Sequence, residues 1–198
     1  IKKENQDYIG HIKTEKGDLF VVCDGLSGLN DGALASKTAV TSILEAYSIP
    51  FNHPGQYLKS ALEIAHADVM TINYKHIGTT VVAVYIENDK VYVAWCGDSR
   101  IYHFNNHIIQ WMSKDHIVLH DLLNHGILVK NDFRNPNAIT RYLGRKDNHQ
   151  IDYYEFSITM GSRILICSDG LTNYIMEPEI INTISDHNPK EASNMLKS

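Results

Sequence analysis

Phe20-Val21-Val22-Cys23-Asp24-Gly25 is an apolar run that ends on a carboxylate and a glycine, with Ser27, Gly28, Asn30, Asp31 and Gly32 just behind. A buried strand of this kind delivers its Asp to the edge of a sheet, on a backbone that glycine lets turn sharply. The pattern occurs three times. Val91 to Trp95 lead into Cys96-Gly97-Asp98-Ser99-Arg100, and Ile164 to Cys167 lead into Ser168-Asp169-Gly170. Three apolar strands that each release an Asp at the C-terminal end point to a convergent, oxygen-ligand metal site.

Working outward, Tyr8 to Lys13 reads as a strand, and Gly17-Asp18 turns it into Leu19–Cys23 as an antiparallel hairpin. Gly32 to Tyr47 carries Ala33, Ala35, Val40, Ile43, Leu44 and Tyr47 on one helical face, with Asn30 or Asp31 as its cap. Pro54 opens a second helix, in which Leu58, Leu62, Ala65, Val69 and Ile72 recur at helical spacing. From Thr79 the pattern becomes strand-like, and the stretch to Trp111 reads as a meander of hairpins turning at Asn88-Asp89 and Asn105-Asn106. Ile117 to Asn124 is predicted helical and closed by Gly126; a polar stretch over 130–137 is predicted as a loop or flap. Ile151 to Ile158 and Arg163 to Cys167 are predicted strands, and Pro178 and Pro189 each open a C-terminal helix. Strands in runs and helices in pairs indicate an α+β fold of antiparallel sheet covered by helices.

The 198 residues are expected to form one domain, 1–198, with a core large enough to need no disulfide. A net charge of −5 and the lack of a Lys/Arg run argue against nucleic acid as partner. No apolar run reaches membrane-spanning length, and no signal peptide is expected. Cys23, Cys96 and Cys167 are widely separated, which suits buried free thiols in a reducing, cytoplasmic compartment.

Taken in order, several short motifs resemble the metal-dependent Ser/Thr protein phosphatases of the PPM or type 2C family, in their compact bacterial form. They are Asn5-Gln6-Asp7, Val22-Cys23-Asp24-Gly25, Gly32 with Ala35-Ser36, Gly78-Thr79-Thr80 and Gly97-Asp98-Ser99-Arg100-Ile101-Tyr102. Asp115-His116, Ile139-Thr140-Arg141 with Leu143-Gly144, and Cys167-Ser168-Asp169-Gly170-Leu171-Thr172 follow. The resemblance implies an αββα sandwich: two antiparallel sheets flanked by helix pairs. It implies hydrolysis of phosphoserine and phosphothreonine on proteins by a metal-activated water at a binuclear Mn²⁺ or Mg²⁺ centre. Asp24 would bridge two ions, the Gly25 carbonyl would bind one, and Asp169 would complete a shell. Asp7 would act through water, and Asp98 with Asp169 would suit a third, weaker ion. A phosphorylated protein is the implied substrate, and a cognate Ser/Thr kinase an implied partner.

Three positions depart from the family pattern. Lys2 stands where an Arg usually grips the phosphate, and a lysine supplies charge without the planar fork. Leu26 replaces a His that some relatives carry. No final Asp-Asn-x-Thr strand is present, so truncation is expected. The alternative reading is a pseudophosphatase that keeps the fold as a binding or regulatory domain. Of the remaining residues, Gly78-Thr79-Thr80 is read as packing, Arg100 as pairing with a carboxylate, and Trp95 and Trp111 as core. His116 and His120 have helical zinc spacing but lack the expected Glu, and His116 is read as a helix-start or surface residue.

Overall fold

Side chains of the strand Asp18–Asp24 (β2) alternate between two apolar surroundings, which explains its unbroken hydrophobic run. Leu19, Val21 and Cys23 pack toward helices, whereas Val22 packs the other way, into a second sheet. A strand covered on both faces has no polar face to display. The coordinates are a computed structural model that describes residues 5–26, 31–72, 77–127 and 135–197.

The first sheet joins β1 (Asp7–Lys13), β2, β3 (Val81–Glu87), β4 (Lys90–Cys96) and β7 (Asp152–Ser157), all antiparallel and in the order β1-β2-β3-β4-β7. The second is three-stranded, in the order β6 (Ile108–Met112), β5 (Arg100–Asn105), β8 (Ser162–Cys167). Helices α1 (Gly32–Tyr47) and α2 (Pro54–Thr71) cover the outer face of the first sheet through Leu19, Val21, Ala83, Tyr85 and Ala94. Helices α5 (Glu177–Asp186) and α6 (Pro189–Met195) cover the second through Tyr102, Phe104 and Cys167. Val22, Val82, Val84, Val93, Trp95 and Ile101 fill the space between the sheets. The expected αββα layering is therefore present. Two short helices complete the described elements: α3 (Val118–Asn124) and α4 (Asp169–Thr172).

Local signals account for most boundaries. Asp31 caps α1 from a left-handed conformation (φ 49°), its carboxylate accepting the Leu34 N–H at 3.1 Å. Pro54 stands in the first turn of α2, where its missing N–H costs nothing. Asn106 and His107 are both left-handed (φ 47° and 59°), so β6 starts at Ile108 and not at His107. The expected meander needs a larger correction. The β3–β4 hairpin lies in the first sheet and the β5–β6 hairpin in the second, so the chain changes sheets between Cys96 and Arg100. The crossing uses Gly97 at φ +122°, where an added Cβ would stand 2.6 Å from the Thr80 Cβ. Only glycine fits that approach. Cys23, Cys96 and Cys167 are buried and free. Among the described residues no helix is long and apolar enough to cross a membrane.

Candidate active site and metal centre

Asp24 is the last residue of β2 and shares the face of Val22, so its side chain stands at the end of the gap between the sheets, only 7% exposed. Asp7 is its direct partner in the β1–β2 register. Two threonines hold the Asp24 backbone. Its N–H donates to Thr80 Oγ1 at 3.0 Å, and its carbonyl accepts from Thr79 Oγ1 and the Thr80 N–H, both at 2.9 Å. Thr79 and Thr80, expected to be structural rather than chemical, are the mounting of Asp24. Gly25 donates its N–H to the Gln6 carbonyl at 3.0 Å. A Cβ on Gly25 would meet the Gly32 carbonyl at 2.2 Å, so glycine here lets the start of α1 close on the strand end. Ser36 fastens that contact from α1, donating to the Gln6 carbonyl at 2.6 Å.

From the second sheet, β8 delivers Ser168 and Asp169. The Ser168 hydroxyl donates to Asp7 Oδ2 at 2.9 Å, and Asn173 Nδ2 donates to Asp169 Oδ2 at 3.0 Å. Asp98 sits on the crossing between the sheets, and its buried Oδ1 has no hydrogen-bond partner among the described residues. The carboxylates oppose one another electrically. Burial first, then Asp7 and Asp169, push the Asp24 carboxyl well above the usual carboxylate range. Burial, followed by Asp169 and Asp115, pushes Asp98 up to about 6. Among the described residues no ion pair reaches Asp7, Asp24, Asp98 or Asp169. Arg100, two residues after Asp98, is committed elsewhere. Its Nε reaches Asp115 Oδ1 at 2.8 Å and its Nη2 reaches Asp115 Oδ2 at 2.7 Å, the expected carboxylate pairing.

An orphaned buried carboxylate oxygen within a cluster of acids that lack a cationic partner among the described residues fits hard divalent cations. Among the described residues no three His, Cys, Asp or Glu side chains form a ready-made chelate. Ligation partly through water would be compatible with that, and Mg²⁺ and Mn²⁺ keep water far more readily than a closed zinc site does. Lys2 lies outside the described residues, as does most of the expected flap.

His116 stands directly before the Ile117 N-cap of α3, which agrees with the helix-start reading, but it is 3% exposed and not a surface residue. Its Nδ1 accepts the Gly97 N–H at 3.1 Å and its Nε2 faces Asp152 Oδ2 at 3.3 Å. His120 Nδ1 lies 2.8 Å from the Asp115 carbonyl. Trp95 is core as expected, and Trp111 packs against it. The flanking residues carry little sequence signal because their roles depend on pairing across the fold.

Comparison with known proteins agrees with this architecture. Residues 2–189 match the family described as Protein phosphatase 2C. The chain is 27% identical over 194 residues to the serine/threonine phosphatase stp of Listeria monocytogenes, covering 91% of this chain and 77% of that protein. It is 29% identical over 201 residues to protein phosphatase PhpP of Streptococcus pneumoniae, covering 95% and 81%. The fold superposes on the S. agalactiae serine/threonine phosphatase with TM-score 0.89 at 23% identity, covering 99% of this chain and 86% of that one. It also matches the catalytic domain of the serine/threonine protein phosphatase PstP, solved with 2 manganese ions, at TM-score 0.80 and 20% identity, covering 100% and 85%. The match spans nearly the whole chain and includes every strand that delivers an acid to the cluster: this chain belongs to the protein phosphatase 2C family and is an enzyme of the serine/threonine phosphatase class.

Proposed function

We propose that residues 1–198 form one catalytic domain that hydrolyses phosphoserine and phosphothreonine on protein substrates, using Mn²⁺ or Mg²⁺. The observation that carries the reading is the convergence of Asp7, Asp24, Asp98 and Asp169 from both sheets, without a cationic partner among the described residues. Asp24 and the Gly25 carbonyl would hold the principal ions together with Asp169. Asp7, steadied by Ser168, would act through water, and Asp98 with Asp169 would hold a third, weaker ion. Bound divalent cations supply charge to neutralise the phosphoryl group and to acidify water. The solved relative with 2 manganese ions supports two principal sites.

The chain's own residues define the rest of the chemistry. No cysteine is suited to a covalent route: burial pushes the Cys96 and Cys167 thiols up to about 12 and raises Cys23 as well. In this reading water is the attacking group, and the acid cluster would orient it at the mouth between the sheets. Thr79 and Thr80 keep the Asp24 backbone fixed while charge changes around it. Lys2 would contact the substrate phosphate as a point charge. A cytoplasmic setting and a cognate Ser/Thr kinase that supplies the phosphoprotein complete the reading.

Hydrolysis of p-nitrophenyl phosphate tests it. Turnover is expected only with Mn²⁺ or Mg²⁺, is expected to stop with chelator, and is expected to be lost in Asp24→Ala. Metal-independent turnover would overturn the reading. Metal uptake by the wild type without turnover would instead favour a binding domain that retains the fold.

A further inference from the structure

We infer that His116 is a positioning residue that clamps Gly97 at two points and thereby aims the Asp98 carboxylate; this rests on the metal reading above. One residue takes both backbone groups of Gly97. The His116 ring accepts the Gly97 N–H at Nδ1 (3.1 Å), and the His116 backbone N–H donates to the Gly97 carbonyl at 2.9 Å. Gly97 stands at φ +122° and is wedged against Thr80 on its other side. Thr80 is the residue that also receives the Asp24 N–H, so one rigid block backs both acids.

The other flank of Asp98 is held just as firmly. Ser99 Oγ lies 2.7 Å from Thr80 Oγ1, and Arg100 is gripped by Asp115, the neighbour of His116. The Asp115-His116 pair therefore anchors the chain on both sides of Asp98, whose Oδ1 is left without a partner. The ring is fixed through Nδ1. Accepting there leaves the proton on Nε2, which faces Asp152 Oδ2 at 3.3 Å without completing a hydrogen bond among the described residues, and Asp152 is itself paired with Arg141 at 3.2 Å. Trp95 lies nearly parallel to the ring, with centroids 6.2 Å apart. The Thr140 N–H donates to the His116 carbonyl at 2.8 Å and fixes the backbone from the remaining side. Such outer hydrogen bonds set ligand orientation in metal sites.

A histidine that merely fills space beside Trp95 would tolerate an apolar residue. A clamp needs an acceptor at the Nδ1 position, which Asn offers with Oδ1 and Leu does not. The test compares wild type, His116→Asn and His116→Leu, with Asp98→Ala and Asp24→Ala as controls. Three readouts are used: long-range ¹H–¹⁵N spectra of the ring, hydrogen exchange at the Gly97 amide, and calorimetric titration with Mn²⁺ alone. The expected result is a ring protonated at Nε2 in the wild type, with faster Gly97 exchange in His116→Leu. Mn²⁺ affinity at the Asp98-dependent site is expected to fall about 10–100-fold in His116→Leu. His116→Asn is expected to recover most of that loss. A ring protonated at Nδ1, wild-type Mn²⁺ uptake by His116→Leu, or an Asn variant no better than the Leu variant would overturn the assignment. Should His116→Leu fail to fold, the wild-type tautomer and the Asn variant decide. A wild type that takes up no Mn²⁺ would sink the metal reading, while the ring spectra and Gly97 exchange would still judge the clamp.

Discussion

Arg100 and Asp115 illustrate how single side chains discipline the acid cluster. The Asp115 carboxylate is 6% exposed, and the Arg100 guanidinium meets it with two nitrogens. Removing the arginine would leave a buried charge unpaired, so Arg100→Ala is expected to cost about 3–5 kcal/mol of stability. Arg100→Lys keeps the charge but loses the fork, and about 1–2 kcal/mol is expected. Urea unfolding midpoints of the two variants check the order and the gap. At this scale the sequence was informative where chemistry is local. Asp24, Asp98 and Asp169 were legible because each follows an apolar run, and Arg100 because a cation beside buried acids needs a partner. Asp152 was not legible, and His116 was legible only as part of the Asp115-His116 motif: their contacts with Arg141 and Gly97 form only after folding.

Elements show the same division. The bounds of α1 and α2 follow from the Asp31 cap, the Pro54 start and the apolar spacing, all local signals. The change of sheet at Gly97 was not legible, because two consecutive hairpins read identically whether or not they share a sheet. The contact of α2 with the loop after Leu143 is similarly hidden. His66 on α2 accepts the Gly144 N–H at Nδ1 (3.1 Å) and stacks on His149 with centroids 3.6 Å apart. His149 in turn faces Glu63 at 3.1 Å. Burial, and then His149, hold His66 below its ordinary 6.5, with Glu63 opposing. The folded ring thus binds fewer protons than the unfolded one. The stabilisation is present above 6.5 and is lost as pH falls from there toward the lower folded value. Thermal unfolding between about pH 7.5 and 5 is expected to show a falling midpoint. His66→Gln, which keeps an acceptor that does not titrate, is expected to flatten that slope.

At the scale of the whole molecule, two sheets meet at one end through acids supplied by both. Ser168 and Asp7, 161 positions apart, are hydrogen-bonded across that end. Cations bound there, as proposed, would favour the folded chain by mass action, by about 2.7 kcal/mol at a hundredfold excess over Kd. Their influence on the time course is less symmetrical. The order of chain-closing events puts this junction late, because each sheet can form from nearer neighbours before the two ends of the sequence meet. Contacts absent from the rate-limiting barrier slow departure from the native basin and leave arrival unchanged. Stopped-flow chevrons with Mn²⁺ and with chelator are therefore expected to share a folding arm and to differ in the unfolding arm. A displaced folding arm would contradict this late assembly. Cations held across this junction would then act as a latch on lifetime: a metal-replete cell would set how long each copy of the enzyme survives between unfolding events.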